Sequence, residues 1–255
     1  MTQIRAIDLG WTAFFSAVLL AWAALWLMVQ DRAVWAGGWG VALLADLCAT
    51  GAGGQGFGAL FAMWAVMSVA MMAPTAVPAF RTWAALPGPA SGGGLGMMAL
   101  GLGYLVVWLG ASAGFALVQQ ALAARGWLAP DGASLSAGLT AALLGLAGAY
   151  QFSRLKSACL SRCRQPLTFF VERWRPGRLA ALRSGLDLGL LCLGCCWALM
   201  ALAFVGGMSS LVWMGLATAL MVMEKLPQIG HYITRPLGWA LLAAAVVFAA
   251  KGVLA

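Results

Sequence analysis

The sequence predicts an all-α fold, a polytopic membrane helix bundle of about seven transmembrane helices with its N-terminus in the cytoplasm. Three observations carry this prediction. Of the 255 residues, 63% are hydrophobic and only 9% charged, whereas a soluble domain carries about 25% charged residues. The mean hydropathy is +0.92. The apolar runs are long and continuous, which suits helices. A membrane β-barrel would alternate polar and apolar residues in segments of about ten. These features exclude a soluble enzyme, a disordered chain and a secreted disulfide scaffold. The chain reads as a single integral membrane domain, 1–255.

A membrane-crossing helix takes about 20 mostly apolar residues, and the chain offers seven such segments in order. The first, Trp11–Val29, is closed by Gln30, Asp31 and Arg32. Its apolar run exceeds the roughly 7–15-residue core of a signal peptide, so it reads as an anchor helix. The second, Gly58–Phe80, is closed by Arg81. The third, Leu95–Val118, contains Gly110 and Gly114, a GxxxG pair that predicts close helix packing. The fourth is Leu135–Phe152. The fifth, Leu186–Phe204, has Asp187 at its opening, where a carboxylate favours a helix N-terminus. The sixth, Met208–Met223, is short, and the seventh is Leu237–Val253. The outer loop Asp31–Phe57 is rich in Gly and Ala and holds Asp46 and Cys48. The inner loop Pro87–Gly94 is a Pro/Gly/Ser-rich connection, expected to be mobile. No internal repeat is evident, so an inverted-repeat transporter is not indicated.

Charge sets the orientation. The segment from Arg154 to Arg183, within a basic loop of about 154–185, holds Arg154, Lys156, Arg162, Arg164, Arg173, Arg175, Arg178 and Arg183 against a single Glu172. Lys and Arg accumulate on the cytoplasmic side. With that loop inside, only Arg32, Arg125 and Lys251 of the 15 Lys and Arg residues fall outside. Topology therefore accounts for the net charge of +8. Nucleic-acid binding is not required, and none of its motifs is present.

The special residues are skewed toward sulfur, with 13 Met and 6 Cys against one His and seven Asp plus Glu. In the second span, Met63, Met67 and Met71 fall at i, i+4 and i+8 on one helical stripe, and Met72 flanks its inner end. Pro74 and Pro78 follow, and should weaken that end of the helix and free backbone carbonyls. In the fifth span, Cys192, Cys196 and Met200 repeat the same spacing with Cys195 beside them. Cys159 and Cys163 are also i, i+4, at the cytoplasmic mouth among Arg154, Lys156, Arg162 and Arg164. Such neighbours favour the metal-binding thiolate. The sixth span carries Met208, Met214, Met221 and Met223, then Glu224 and Lys225 at the inner boundary, expected to pair or to reach for headgroups. Met is also ordinary flexible filler and free Cys a common buried residue. A lone His231 in the inner loop is weak evidence of a ligand. Taken together, Met208 lies at the outer edge, Met63, Met67, Met71 and Met200 from there to mid-depth, Cys192, Cys195 and Cys196 below, and Cys159 and Cys163 at the inner rim. Thiolates alone suit Cu(I) or Zn, but thioether stripes argue for Cu(I) or a similar soft ion.

Three stretches carry a family likeness: MWxVMxxAMMxP (Met63–Pro74), YQxxxLKxxCLxxCRxP (Tyr150–Pro166) and CxxCCWxLM…GxM…WM…EKxP (Cys192–Pro227). They resemble the DUF2182 family, whose label is "predicted metal-binding integral membrane protein", from about Gly58 to the end of the chain. Two positions depart from that pattern. Phe152-Ser153-Arg154 stands where a Leu-Thr-Pro step is usual, which removes a proline kink, and Ser209 stands where Asn is usual. The resemblance implies metal binding and a small soluble companion.

The leading expectation is therefore a non-enzymatic membrane protein that binds Cu(I) and serves copper transport, delivery or homeostasis in the bacterial inner membrane. The candidate metal ligands are Met63, Met67, Met71, Met72, Cys159, Cys163, Cys192, Cys195, Cys196, Met200, Met208 and Glu224. The expected partners are the lipid bilayer, a small soluble metal- or thiol-carrying protein, and further copies of the chain in a homo-oligomer. Two alternatives stand beside it. One is a membrane thiol–disulfide oxidoreductase working through Cys192–Cys195 and Cys159–Cys163, which leaves the Met stripes unexplained. The other is an assembly subunit without chemistry of its own.

Overall fold

A computed structural model describes residues 2–29, 56–86, 93–173, 177–208 and 210–254. Among these the fold is all-α, with one isolated antiparallel bridge, Leu128 to Ser134. The helices are α1 (Thr2–Val29), α2 (Phe57–Ala85), α3 (Gly93–Ala124), α4 (Ala137–Tyr150), α5 (Arg154–Arg164), α6 (Pro166–Glu172), α7 (Arg178–Ala201), α8 (Ala203–Gly206), α9 (Leu211–Lys225) and α10 (Gly230–Leu254). Each of the seven predicted spans coincides with a helix. Five are long and apolar enough to cross a membrane: Gly10–Leu27, Phe57–Ala85, Gly94–Ala124, Arg178–Gly206 and Gly230–Val253. The other two are shorter, α4 with 14 residues and α9 with 15. At about 1.5 Å per residue, neither matches a hydrocarbon core of about 30 Å. The outer-loop residues 30–55, with Asp46 and Cys48, the inner-loop residues 87–92, and Arg175 and Ser209 lie outside the described residues.

The centre of the bundle is the pair α3 and α7, which run parallel: Leu100 faces Gly185, Tyr104 and Val107 face Gly189, and Tyr104 reaches Cys192. Glycine makes this approach possible. A Cβ at Gly103 would meet the backbone of Leu182 and Leu186, and one at Gly185 the backbone of Leu100. The expected packing pair, Gly110 and Gly114, plays no part, because neither has an atom within 4 Å of where its Cβ would stand. The close contact, at Leu100 and Gly103, occurs about two to three turns before Gly110 on the same helix.

Around this pair, α2 lies antiparallel to α3. Trp64 donates to Gln119 at 2.8 Å, the Ser68 and Ser112 hydroxyls are 3.0 Å apart, and Phe80 meets Tyr104 edge-on. The two prolines do not break α2, which runs on to Ala85. Pro74 has no N–H for the carbonyl of Ala70, four residues back. Trp22 of α1 fills that vacancy, its indole donating to Ala70 at 3.0 Å. The predicted free carbonyl is present, and it is what holds the first helix. On the other flank, α4 packs antiparallel on α10, Gly148 against Leu242 and Gly145 against Ala245.

At the basic end, the segment 154–173 is helical rather than a loop. A turn at Gln151–Ser153 separates α4 from α5 with no proline present. Ser153 caps α5, accepting from the Lys156 N–H at 3.1 Å. α7 starts at Arg178, eight residues before its expected beginning, so Asp187 is inside the helix rather than capping it. Its carboxylate lies 3.9 Å from Arg173 instead.

Candidate metal centre

The site is built on α7. Cys192, Cys196 and Met200 follow one face of the helix at i, i+4 and i+8, Cys195 sits beside them, and all four are buried. Cys195 Sγ lies 3.3 Å from Cys196 Sγ and donates to the Cys192 carbonyl at 3.1 Å. From α5, Cys163 lies beside Cys195, near enough for the two thiols to influence each other. One turn earlier on α5, Cys159 rests on Gly194, where a Cβ would stand 2.7 Å from its sulfur. Glycine at position 194 is therefore what lets the two thiol-bearing helices meet. Cys159, Cys163, Cys192, Cys195 and Cys196 are all free thiols.

Cys192 also faces a polar pocket. Lys225 Nζ donates to its sulfur at 2.9 Å, the Tyr104 hydroxyl is 3.0 Å away, and the Thr75 hydroxyl 3.8 Å. Lys225 donates a second time, to Thr75 Oγ1 at 2.7 Å. Thr75 and Tyr104 in turn donate to the Met72 carbonyl, at 2.8 and 3.1 Å. Four helices, α2, α3, α7 and α9, thus each contribute polar groups to one point in an apolar bundle. A buried polar group left without a partner costs about 1–3 kcal/mol, and here the groups satisfy one another.

The neighbouring residue faces another way. Glu224 forms a buried ion pair with Lys156, Nζ to Oε2 at 2.8 Å. Arg164 Nε donates to the Glu224 backbone carbonyl at 2.8 Å, and its Nη2 lies 3.4 Å from Thr234 of α10. These contacts fasten α5, with Cys159 and Cys163, onto α9 and α10. Glu224 and Lys225 therefore neither pair with each other nor reach toward headgroups. Both are buried, 1% and 7% exposed, and each binds a different helix.

The expected thiolate character at the rim is corrected for one residue. Burial pushes the Cys159 thiol up from its ordinary range. Three of the four neighbouring cations are engaged elsewhere, Lys156 with the Glu224 carboxylate, Arg164 with the Glu224 backbone carbonyl and Arg162 with Glu172.

The methionine stripe of α2 faces the bundle, with Met67, Met71 and Met72 buried and Met63 half-buried. What α2 presents to Cys192, however, is the Thr75 hydroxyl, anchored on the Met72 carbonyl. Met208 belongs to the opposite end. Its sulfur packs over Gly132 and its N–H donates to the Asp131 carbonyl at 3.0 Å. His231 is exposed and stacks on Tyr232. Sequence reasoning missed Thr75, Tyr104 and Lys156, and gave Lys225 the wrong partner. The available signals were a tyrosine and a threonine inside otherwise apolar runs, and a lysine preceding Pro227 with no helical carboxylate partner four residues before it. Among the described residues, no group of three or more His, Cys, Asp or Glu side chains is arranged to hold a metal ion.

Residues 61–248 match the family model PpoB2, described as a copper chaperone. The chain belongs to this family. Every thiol of the cluster, together with Thr75, Tyr104 and Lys225, falls inside the stretch shared with the copper-chaperone family, whereas α1 falls outside it. Comparison with curated proteins and with solved structures gives no match.

Proposed function

We propose that this membrane protein takes up Cu(I) as cargo on the thiols of α7 and delivers it to an acceptor. The observation that carries this is the burial of Cys192, Cys195 and Cys196 on one helix, with the Cys195 and Cys196 sulfurs 3.3 Å apart, inside the region that matches a copper-chaperone family. Soft sulfur donors favour Cu(I) over hard ions. The single His, which is exposed, leaves nitrogen ligation a minor role. The resemblance to the DUF2182 family supports the same reading.

In this proposal Met63, Met67 and Met71 form the approach, with Met72, Met200 and Met208 as further thioether contacts. Cys192, Cys195 and Cys196 are the principal holding site. Cys163, and Cys159 behind it, pass the ion to the basic end, which faces the cytoplasm of a bacterial inner membrane. Glu224 contributes by fixing α5 in place. A soluble metal-carrying protein is the acceptor or donor at that end. The chain performs ligand exchange and no covalent chemistry.

The test is anaerobic copper analysis of purified full-length protein in competition with a cuprous chelator. Wild type is expected to hold copper at a fixed ratio, and C192S, C195S and C196S each to lower it. Full copper in all three variants sinks the proposal. A function that survives Met→Leu changes on α2 but is lost on any Cys→Ser change would transfer the site to thiol–disulfide exchange.

A further inference from the structure

Lys225 has no place in a simple sulfur relay, yet it sits on the principal sulfur. Its ammonium is buried at the last residue of α9, 2.9 Å from Cys192 Sγ and 2.7 Å from Thr75 Oγ1. Among the described residues it makes no carboxylate salt bridge. The adjacent carboxylate, Glu224, is held by Lys156. An isolated buried charge is strongly unfavourable, so the ammonium depends on Cys192 and Thr75. In effect Cys192 already carries a compact monovalent cation on a flexible tether. Cu(I) is also a compact monovalent cation that seeks the same sulfur.

We propose that Lys225 is a built-in competitor for the cargo site: its ammonium rests on Cys192 when the site is empty, turns away when Cu(I) binds, and returns to help expel the ion. This rests on the cargo reading above and adds a release step to it. The exchange balances in charge, one positive ion arriving at the sulfur as another leaves it. No bond other than the metal–sulfur contact is made or broken, and no electron moves. Thr75 sets the balance from the other side, because its hydroxyl holds the ammonium in the resting position.

The experiment measures release of Cu(I) from loaded, full-length protein to excess cuprous chelator, under anaerobic conditions, for wild type, K225M and T75V. K225M removes the competitor and keeps the chain length, so the loaded protein should release its copper about tenfold more slowly. T75V keeps the side-chain shape and loosens the ammonium's seat, so it should slow release in the same direction by a smaller factor. Damage to the fold would speed release, so slower release is a signature a structural defect does not give. Release from K225M at the wild-type rate or faster overturns the proposal. Should K225M fail to fold, T75V decides it, and unchanged or faster release there overturns it equally. C192S separates the two readings. If it keeps the full copper content, the cargo site itself is misplaced. If it loses copper while K225M and T75V release at the wild-type rate, only the competitor role falls.

Discussion

Two thiols four residues apart on one short helix have opposite surroundings. Cys159 is 8% exposed and pressed on Gly194, with burial holding it as a thiol, whereas Cys163 is half-buried and lies beside Cys195. A small thiol-alkylating reagent at neutral pH should therefore modify Cys163 well before Cys159, as read by mass spectrometry of the intact protein. Equal labelling would mean that α5 does not sit as described. The sequence made both cysteines visible through their i, i+4 spacing. It could not rank them, because Lys156, Arg162 and Arg164, three of the cations that surround them in sequence, are engaged in space by Glu172 and Glu224. Thr75 and Tyr104 were hidden for a similar reason. A single hydroxyl in an apolar run reads as tolerated filler until the fold brings four helices to the same depth.

Helix α5 buries Cys159 and Leu160 in the core and is tied to α9 by the buried Lys156–Glu224 pair. Removing one partner of a buried pair leaves the other charge stranded and costs about 3–5 kcal/mol, whereas replacing both by apolar residues is often neutral. K156M and E224M alone should each lower the unfolding midpoint in detergent clearly, and the double variant should recover most of the loss. Additive losses in the double variant would show that the two side chains do not act on each other. Helix positions were largely legible in the sequence, since apolar length and flanking charge located a helix at each of the seven predicted spans, five of them long enough to cross a membrane. Their ends were not. α7 begins in the basic segment at Arg178 because amphipathic residues there continue the helix before the apolar run starts, and Asp187 marks no boundary. Pro74 frees the Ala70 carbonyl as expected but does not end the helix there, and the carbonyl's partner, Trp22, is 48 residues away and beyond any local pattern.

At the scale of the whole molecule, the all-α membrane architecture followed directly from composition. The choice of packing seam did not, because any glycine pair four apart fits the GxxxG pattern. Only tertiary placement distinguishes Gly103 and Gly185, which touch backbone, from Gly110 and Gly114, which touch nothing. Gly185→Ala should force α3 and α7 apart and lower folded yield sharply. Gly110→Ala and Gly114→Ala should be neutral or stabilising by up to about 1 kcal/mol, the ordinary helix preference for Ala over Gly. Size-exclusion profiles and thermal unfolding of the three variants provide the comparison, and equal behaviour would contradict the seam. Such a seam also divides the protein into a chassis and its working parts. With backbone against backbone, α3 and α7 cannot slide or roll without collision, so they form a strut that keeps the depth of Cys192 constant. In the proposed delivery, any stroke that hands an ion onward falls to α5, which the bundle grips through side chains such as Lys156 and Arg164, swinging against a fixed post.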